Sequence, residues 1–127
     1  MKIVLHTSPW DKSGKTLESL IRNRIPGVHT LISNDLGQLK SQLCRPMNRI
    51  SAVVGVTSSV QDLDRLLTMK SLFQDTKLIL ILPRPQKPDM ASALELNPSF
   101  ISYHDRPLDD ILLVLTKIKE KDKMQKY

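Results

Sequence analysis

The chain holds a single cysteine, Cys44, in 127 residues. No internal disulfide can form, and a reducing, cytoplasmic setting is the expectation. Cys44 itself reads as a core filler on a helix. Aromatic residues make up only 4% of the chain, which leaves few platforms for stacking the bases of single-stranded nucleic acid. No apolar run approaches the roughly 20 residues that cross a bilayer. The run at residues 78–82 stops at Pro83, and the opening residues turn polar at His6, too soon for a signal peptide. No group of His, Cys, Asp and Glu has the spacing of a metal site. No glycine stands where a nucleophile elbow or an oxyanion hole needs one. These absences argue against a disulfide scaffold, a membrane span, a metalloprotein and a serine-type hydrolase.

What is present is ordinary for one globular domain, with 40% hydrophobic and 25% charged residues. The net charge of +6 is not spread evenly. From Lys117 onward five lysines face Glu120 and Asp122, a surplus of +3. Residues 22–45 hold Arg22, Arg24, Lys40 and Arg45 against Asp35, another +3. The remainder is neutral. The basic tail suits the negative end of a helix dipole better than a nucleic-acid surface. Residues 1–119 are read as the domain and residues 120–127 as a Lys-rich tail.

Apolar β-branched runs alternate with segments of helical period. Residues 2–7 read as a strand, followed by a helix capped at Ser13 with Leu17, Leu20, Ile21 and Ile25 on one face, stopped by Pro26 and Gly27. Residues 28–32 form a second strand. Asn34 or Asp35 caps a helix that turns Leu36, Leu39 and Leu43 inward and ends at Pro46. Residues 50–57 are a third strand, and Ser59 with Asp62 resembles a capping box ahead of Leu63, Leu66 and Leu67. Residues 77–82 are a strand apolar throughout, as expected when helices cover both faces. Pro83, Pro85 and Pro88 punctuate the next loop, with Pro88 suited to a helix start. A short helix through Leu94 and Leu96 ends at Asn97 and Pro98. Residues 100–103 are the last strand and residues 111–118 the core of the last helix. Five β-α units in succession predict an α/β three-layer sandwich, its five-stranded parallel sheet in the flavodoxin-like order 2-1-3-4-5.

One motif offers phosphate binding. Ser13-Gly14-Lys15-Thr16 stands between a strand and a helix, as in a P-loop. The leading glycine of that motif is replaced by Pro9, which has no amide hydrogen to give, and the third strand lacks an acidic end to organise magnesium. A small phosphate- or nucleotide-binding protein is the alternative this segment supports, through an anion at Ser13–Thr16. A basic nucleic-acid-associated module is a weaker one, resting on charge alone. His6 and His104 are expected at neighbouring strand ends with Asp105, Thr57 and Ser58, but without the geometry of a catalytic set. His29 has no partner pattern.

The stretch Arg106-Pro107-Leu108-Asp109-Asp110, between the last strand and the last helix, resembles the closing turn of a response-regulator receiver domain of the CheY-like type. In that family a basic residue senses phosphorylation and the proline shapes the turn. The resemblance runs through the whole chain in element order and length, and it implies the receiver fold. It also implies a carboxylate pair after the first strand, for a divalent cation, and a phospho-acceptor aspartate ending the third. Here those places read His6-Thr7-Ser8 and Val56-Thr57-Ser58, with no carboxylate, and Leu82-Pro83 stands where the family has a hydroxyl. Asp11 lies further along the first loop and could reach inward, but a single displaced carboxylate makes a poor metal site. Arg106 stands where the family carries lysine.

The expectation is therefore a degenerate pseudo-receiver in a two-component-type signalling setting. It is not an enzyme, has no phospho-acceptor (Val56 or Thr57 occupies the place), and needs no metal or cofactor. Thr57, Arg106 and Pro107 would be remnants of the switch. The resemblance implies docking to other signalling proteins, or a homodimer, through the fourth helix, fifth strand and last helix. That surface lies around residues 90–96, Tyr103 and residues 109–119, with Leu94, Val114 and Leu115 as contributors.

Overall fold

A computed structural model describes residues 1–8, 11–45, 49–83 and 87–124. Pro9, Pro46 and Pro85, singled out above, lie outside them. The elements alternate as β1 (Lys2–His6), α1 (Lys12–Arg24), β2 (His29–Ser33), α2 (Leu36–Cys44), β3 (Ala52–Val56), α3 (Val60–Leu67), a 3-10 turn (Lys70–Phe73), β4 (Lys77–Leu82), α4 (Lys87–Glu95), β5 (Phe100–Tyr103) and α5 (Asp109–Met124). All strand pairs are parallel, and the order is β2-β1-β3-β4-β5. The expected doubly wound α/β sandwich is the observed one.

Alternate side chains of a strand point to opposite faces, and that parity sorts the core into two layers. Ile3 and Leu5, Ala52, Val54 and Val56, and Ile79 and Ile81 pack with Leu17 and Ile21 of α1 and with Ile111, Leu112 and Leu115 of α5. Val4, Val53, Leu78, Leu80 and Leu82 pack with Leu39 of α2, Leu63 and Leu66 of α3 and Ala93 of α4. Each fully buried aliphatic side chain contributes about 1.5–3 kcal/mol relative to exposure. β3 is buried at every position, as is β4 after Lys77, so neither could carry an alternating polar pattern.

Several boundaries differ from the sequence reading, each for a local reason. α1 starts at Lys12 because Asp11, not Ser13, is its cap, accepting the Ser13 amide at 2.9 Å. β2 pairs one residue later than expected, and β3 ends at Val56, leaving Thr57 just beyond the ladder. Asp35 caps α2, its carboxylate accepting the Gln38 amide. The 3-10 turn was not expected. It seats Phe73, with Met69 just before it, against the α2–α4 layer. Cys44 is the last residue of α2 and is exposed, so its reading as a core filler is corrected. α5 runs to Met124, so the first residues of the Lys-rich tail are helical. Arg24 pairs with Asp109 at 2.8 Å, and the Lys119 ammonium donates to the Pro26 carbonyl, tying α5 to the α1 end of the domain.

Candidate functional site

The carboxyl ends of β1 and β3 lie side by side, with His6 opposite Gly55 in the register. They open on a cavity of about 310 Å³ bordered by His6, Thr7, Asp35, Thr57, Asp62 and Arg65. A larger open groove of about 710 Å³ lies at the other end of the sheet, beside Lys77 and Ser99 where β4 and β5 begin. The smaller cavity occupies the place where a doubly wound sheet carries its chemistry, because the chain reverses direction about the sheet there.

Thr57 is buried and held on every polar atom. Its amide and its hydroxyl both donate to the Ile81 carbonyl, each at 2.9 Å, using the two lone pairs of that oxygen. Its own carbonyl accepts from His104 Nε2 at 2.7 Å. A carbonyl cannot donate, so His104 is protonated on Nε2. His104 follows β5, and its ring therefore reaches past β4 to fasten the end of β3. His6 and His104 are not on neighbouring strands, since β3 and β4 lie between β1 and β5. They flank Thr57 from either side without forming a pair. His29 is exposed on the edge strand β2.

His6 is assigned by counting hydrogens. Ser33 has one hydroxyl proton, and it goes to the Asp35 carbonyl at 2.9 Å. The 3.0 Å contact between His6 Nδ1 and Ser33 Oγ must then be donated by the imidazole. Neutral His6 is the Nδ1–H tautomer, and Nε2 keeps its lone pair with no partner among the described residues. Burial pushes the His6 pKa down, against the opposing pull of Asp62 and then Asp35. Thr7 Oγ1 is buried and also has no protein partner among the described residues.

Three carboxylates lie near the β1–β3 corner, and each serves a backbone amide. Asp11 accepts from Ser13, Asp35 from Gln38 at 2.8 Å, and Asp62 from Ser58 at 2.8 Å. Ser59 accepts the Asp62 amide at 3.4 Å, so the expected box is present in altered form, with Asp62 answering at Ser58 and not at Ser59. Among the described residues no group of three or more His, Cys, Asp or Glu could hold a metal ion.

Two polar groups of the Ser13–Thr16 segment are already engaged within the chain. The Ser13 amide is already taken by Asp11, and the Thr16 hydroxyl donates back to the Lys12 carbonyl. Gly14 is buried against Thr7, where an added Cβ would lie 2.5 Å from Thr7 Oγ1. The glycine permits close helix–strand packing there, and Lys15 is exposed.

At the other end of the sheet's carboxyl edge, Arg106 lies over the Tyr103 ring, 5.7 Å from its centroid. Its amide closes the turn onto the Tyr103 carbonyl at 3.0 Å. The residue that reaches Thr57 is thus His104, while Arg106 and Pro107 are exposed on the turn. The Tyr103 hydroxyl donates to Met90 Sδ at 3.3 Å, joining β5 to α4. Leu115, Ala93 and Leu96 are buried, so Leu115 is removed from the expected docking surface. Leu94 is 63% exposed, as that surface requires, and Leu113, which the sequence reading passed over, is 60% exposed. A signal existed for Leu113. In the run Leu112-Leu113-Val114-Leu115, a helix that buries Leu112 and Leu115 must turn the second leucine outward.

No family model and no curated protein matches the chain. Solved structures do. A CheY-like response regulator from Mesorhizobium loti superposes with a TM-score of 0.70 at 15% identity, over 92% of this chain and 97% of that one. A LuxR family DNA-binding response regulator from Silicibacter pomeroyi gives 0.71 at 12% identity, over 95% and 93%. The signal receiver domain of an HD domain-containing protein from Pseudomonas fluorescens Pf-5 gives 0.69 at 18% identity, over 97% of each chain. The chain has the fold of a response-regulator receiver domain.

Proposed function

We propose that the chain is a receiver-like signalling module that acts by protein–protein contact, without aspartyl phosphorylation and without catalysis of its own. The observation that carries this reading is Thr57. It stands just past the end of β3, one of the two positions that the receiver resemblance offers for a phospho-acceptor, and its hydroxyl is buried and spent on the Ile81 carbonyl. A buried hydroxyl already donating within the sheet is a poor nucleophile for phosphoryl transfer. The nearby carboxylates support the same reading, because each one caps a helix or turn instead of pointing together at a shared cation.

Output is proposed at the edge framed by α4, β5 and α5. There Leu94 and Leu113 are, among the described residues, the exposed large apolar side chains, and Arg106 rests on Tyr103. A partner signalling protein, or a second copy of this chain, would bury them. Nothing in the geometry of Ser13–Thr16 favours a phosphate-binding reading.

The test is an amide NMR titration with magnesium and beryllofluoride, paired with sedimentation over a range of protein concentration. The reading predicts unchanged Thr57, Ser58 and His104 amides. Saturable shifts of those three amides would overturn it. Self-association that is lost in Leu113→Ser would assign the edge to a homodimer.

A further inference from the structure

The cavity beside His6 holds a chain of groups with one open position. His6 Nδ1–H donates to Ser33, and Ser33 donates to the Asp35 carbonyl at the start of α2. His6 Nε2 remains an unprotonated nitrogen at a cavity whose other borders include Asp35 from the start of α2 and Asp62 and Arg65 from α3. β2 contributes Ser33, β3 contributes Val56, and Thr57 follows β3, none of them charged. A proton arriving at His6 therefore enters at Nε2 and leaves the Ser33 bond intact.

We propose that this corner is a proton-operated latch, in which protonation of His6 draws the Asp62 carboxylate from the Ser58 amide toward the new imidazolium and loosens the β3–α3 turn. Asp62 is the group placed to respond. Its Oδ2 holds the Ser58 amide at 2.8 Å, while its Oδ1 has only a 4.0 Å contact with Arg65, whose side chain is largely exposed. Asp62 also acts on His6 more strongly than Asp35 does. Asp35 is the less responsive neighbour, since its carboxylate caps α2 through Gln38 and its backbone carbonyl is bound by Ser33. Burial keeps the ring neutral at neutral pH, so the latch is closed there and opens on acidification. The latch acts through the fold and operates whether or not the chain docks a partner.

Nitrogen NMR of the His6 ring, with amide NMR of the full chain from pH 8 to 5, tests it. At pH 8 the ring should show the Nδ1–H tautomer. On acidification the Ser58 amide should shift with the same midpoint as the His6 ring, while the Ser13 amide, held by Asp11, stays still. Asp62→Asn should remove the Ser58 response and leave His6 titrating, and His6→Gln should abolish the common midpoint. An Nε2–H tautomer at pH 8 would overturn the latch. So would a Ser58 amide that ignores the His6 titration, or a Ser58 response that survives in His6→Gln.

Discussion

The two ends of the sheet's carboxyl edge are built differently. At the β1–β3 corner the polar groups are mostly turned inward and tied. Thr57 is bonded through its amide, hydroxyl and carbonyl, and each nearby carboxylate holds an amide. At the β5–α5 turn Arg106 and Pro107 are exposed and Tyr103 is half-buried beneath the guanidinium. On the proposed reading the first region stands where a receiver would take its signal and the second near where it would pass it on. Here the first is packed like structure, and the second presents side chains that a partner could cover. A corner built as structure should react to substitution by losing stability, while the turn should lose only contacts made with others.

The largest expected effect is at the corner. Thr57→Asp places a carboxylate in a buried site, at a cost of about 3 kcal/mol at neutral pH. Burial raises that carboxyl's folded pKa above its unfolded one, so the lost stability returns as pH falls through the raised value. Urea unfolding at two pH values checks both statements. Gly14→Val drives a side chain into Thr7 and costs about 2 kcal/mol in the same assay. Thr57→Val removes one hydrogen bond, and His104→Ala leaves the Thr57 carbonyl without its donor, each costing about 1 kcal/mol.

Acid supplies a subtler probe of the corner. His6 has a folded pKa below the ordinary 6.5, so the unfolded chain binds its proton first. Stability is then level above that value and falls as pH drops from there through the lowered one. Thermal melts across that window should show the slope, and His6→Gln should flatten it. The smallest effect belongs to the turn. Arg106→Ala should change stability by no more than about 0.5 kcal/mol. A loss as large as that of Thr57→Val would erase the contrast between the two ends.

Most of the architecture was legible because the sequence repeats one statement five times, an apolar run followed by a helical period. The continuous burial of β3 and β4 follows from their composition, and the Ser59 cap from its spacing to Asp62. The receiver-like turn was legible too, but not its geometry. Whether His104 or Arg106 reaches back over the sheet depends on where β5 stops, and a two-residue change there exchanges their roles. Asp11 superseded Ser13 as a cap because either residue type can cap a helix. The 3-10 turn at Lys70–Phe73 is too short for any period to show, and the exposure of Cys44 follows from its being the last residue of a nine-residue helix. Hydrogen-bond direction at His6 has no sequence signal at all, since it rests on the Ser33 hydroxyl giving its one proton to the Asp35 carbonyl.

The most direct test of the central proposal, that the β1–β3 corner does not accept a phosphoryl group, is intact-mass spectrometry after incubation with acetyl phosphate and magnesium. The account predicts an unmodified chain at every time point. A stoichiometric phosphoryl adduct, mapped by fragmentation to a residue of that corner, would contradict it.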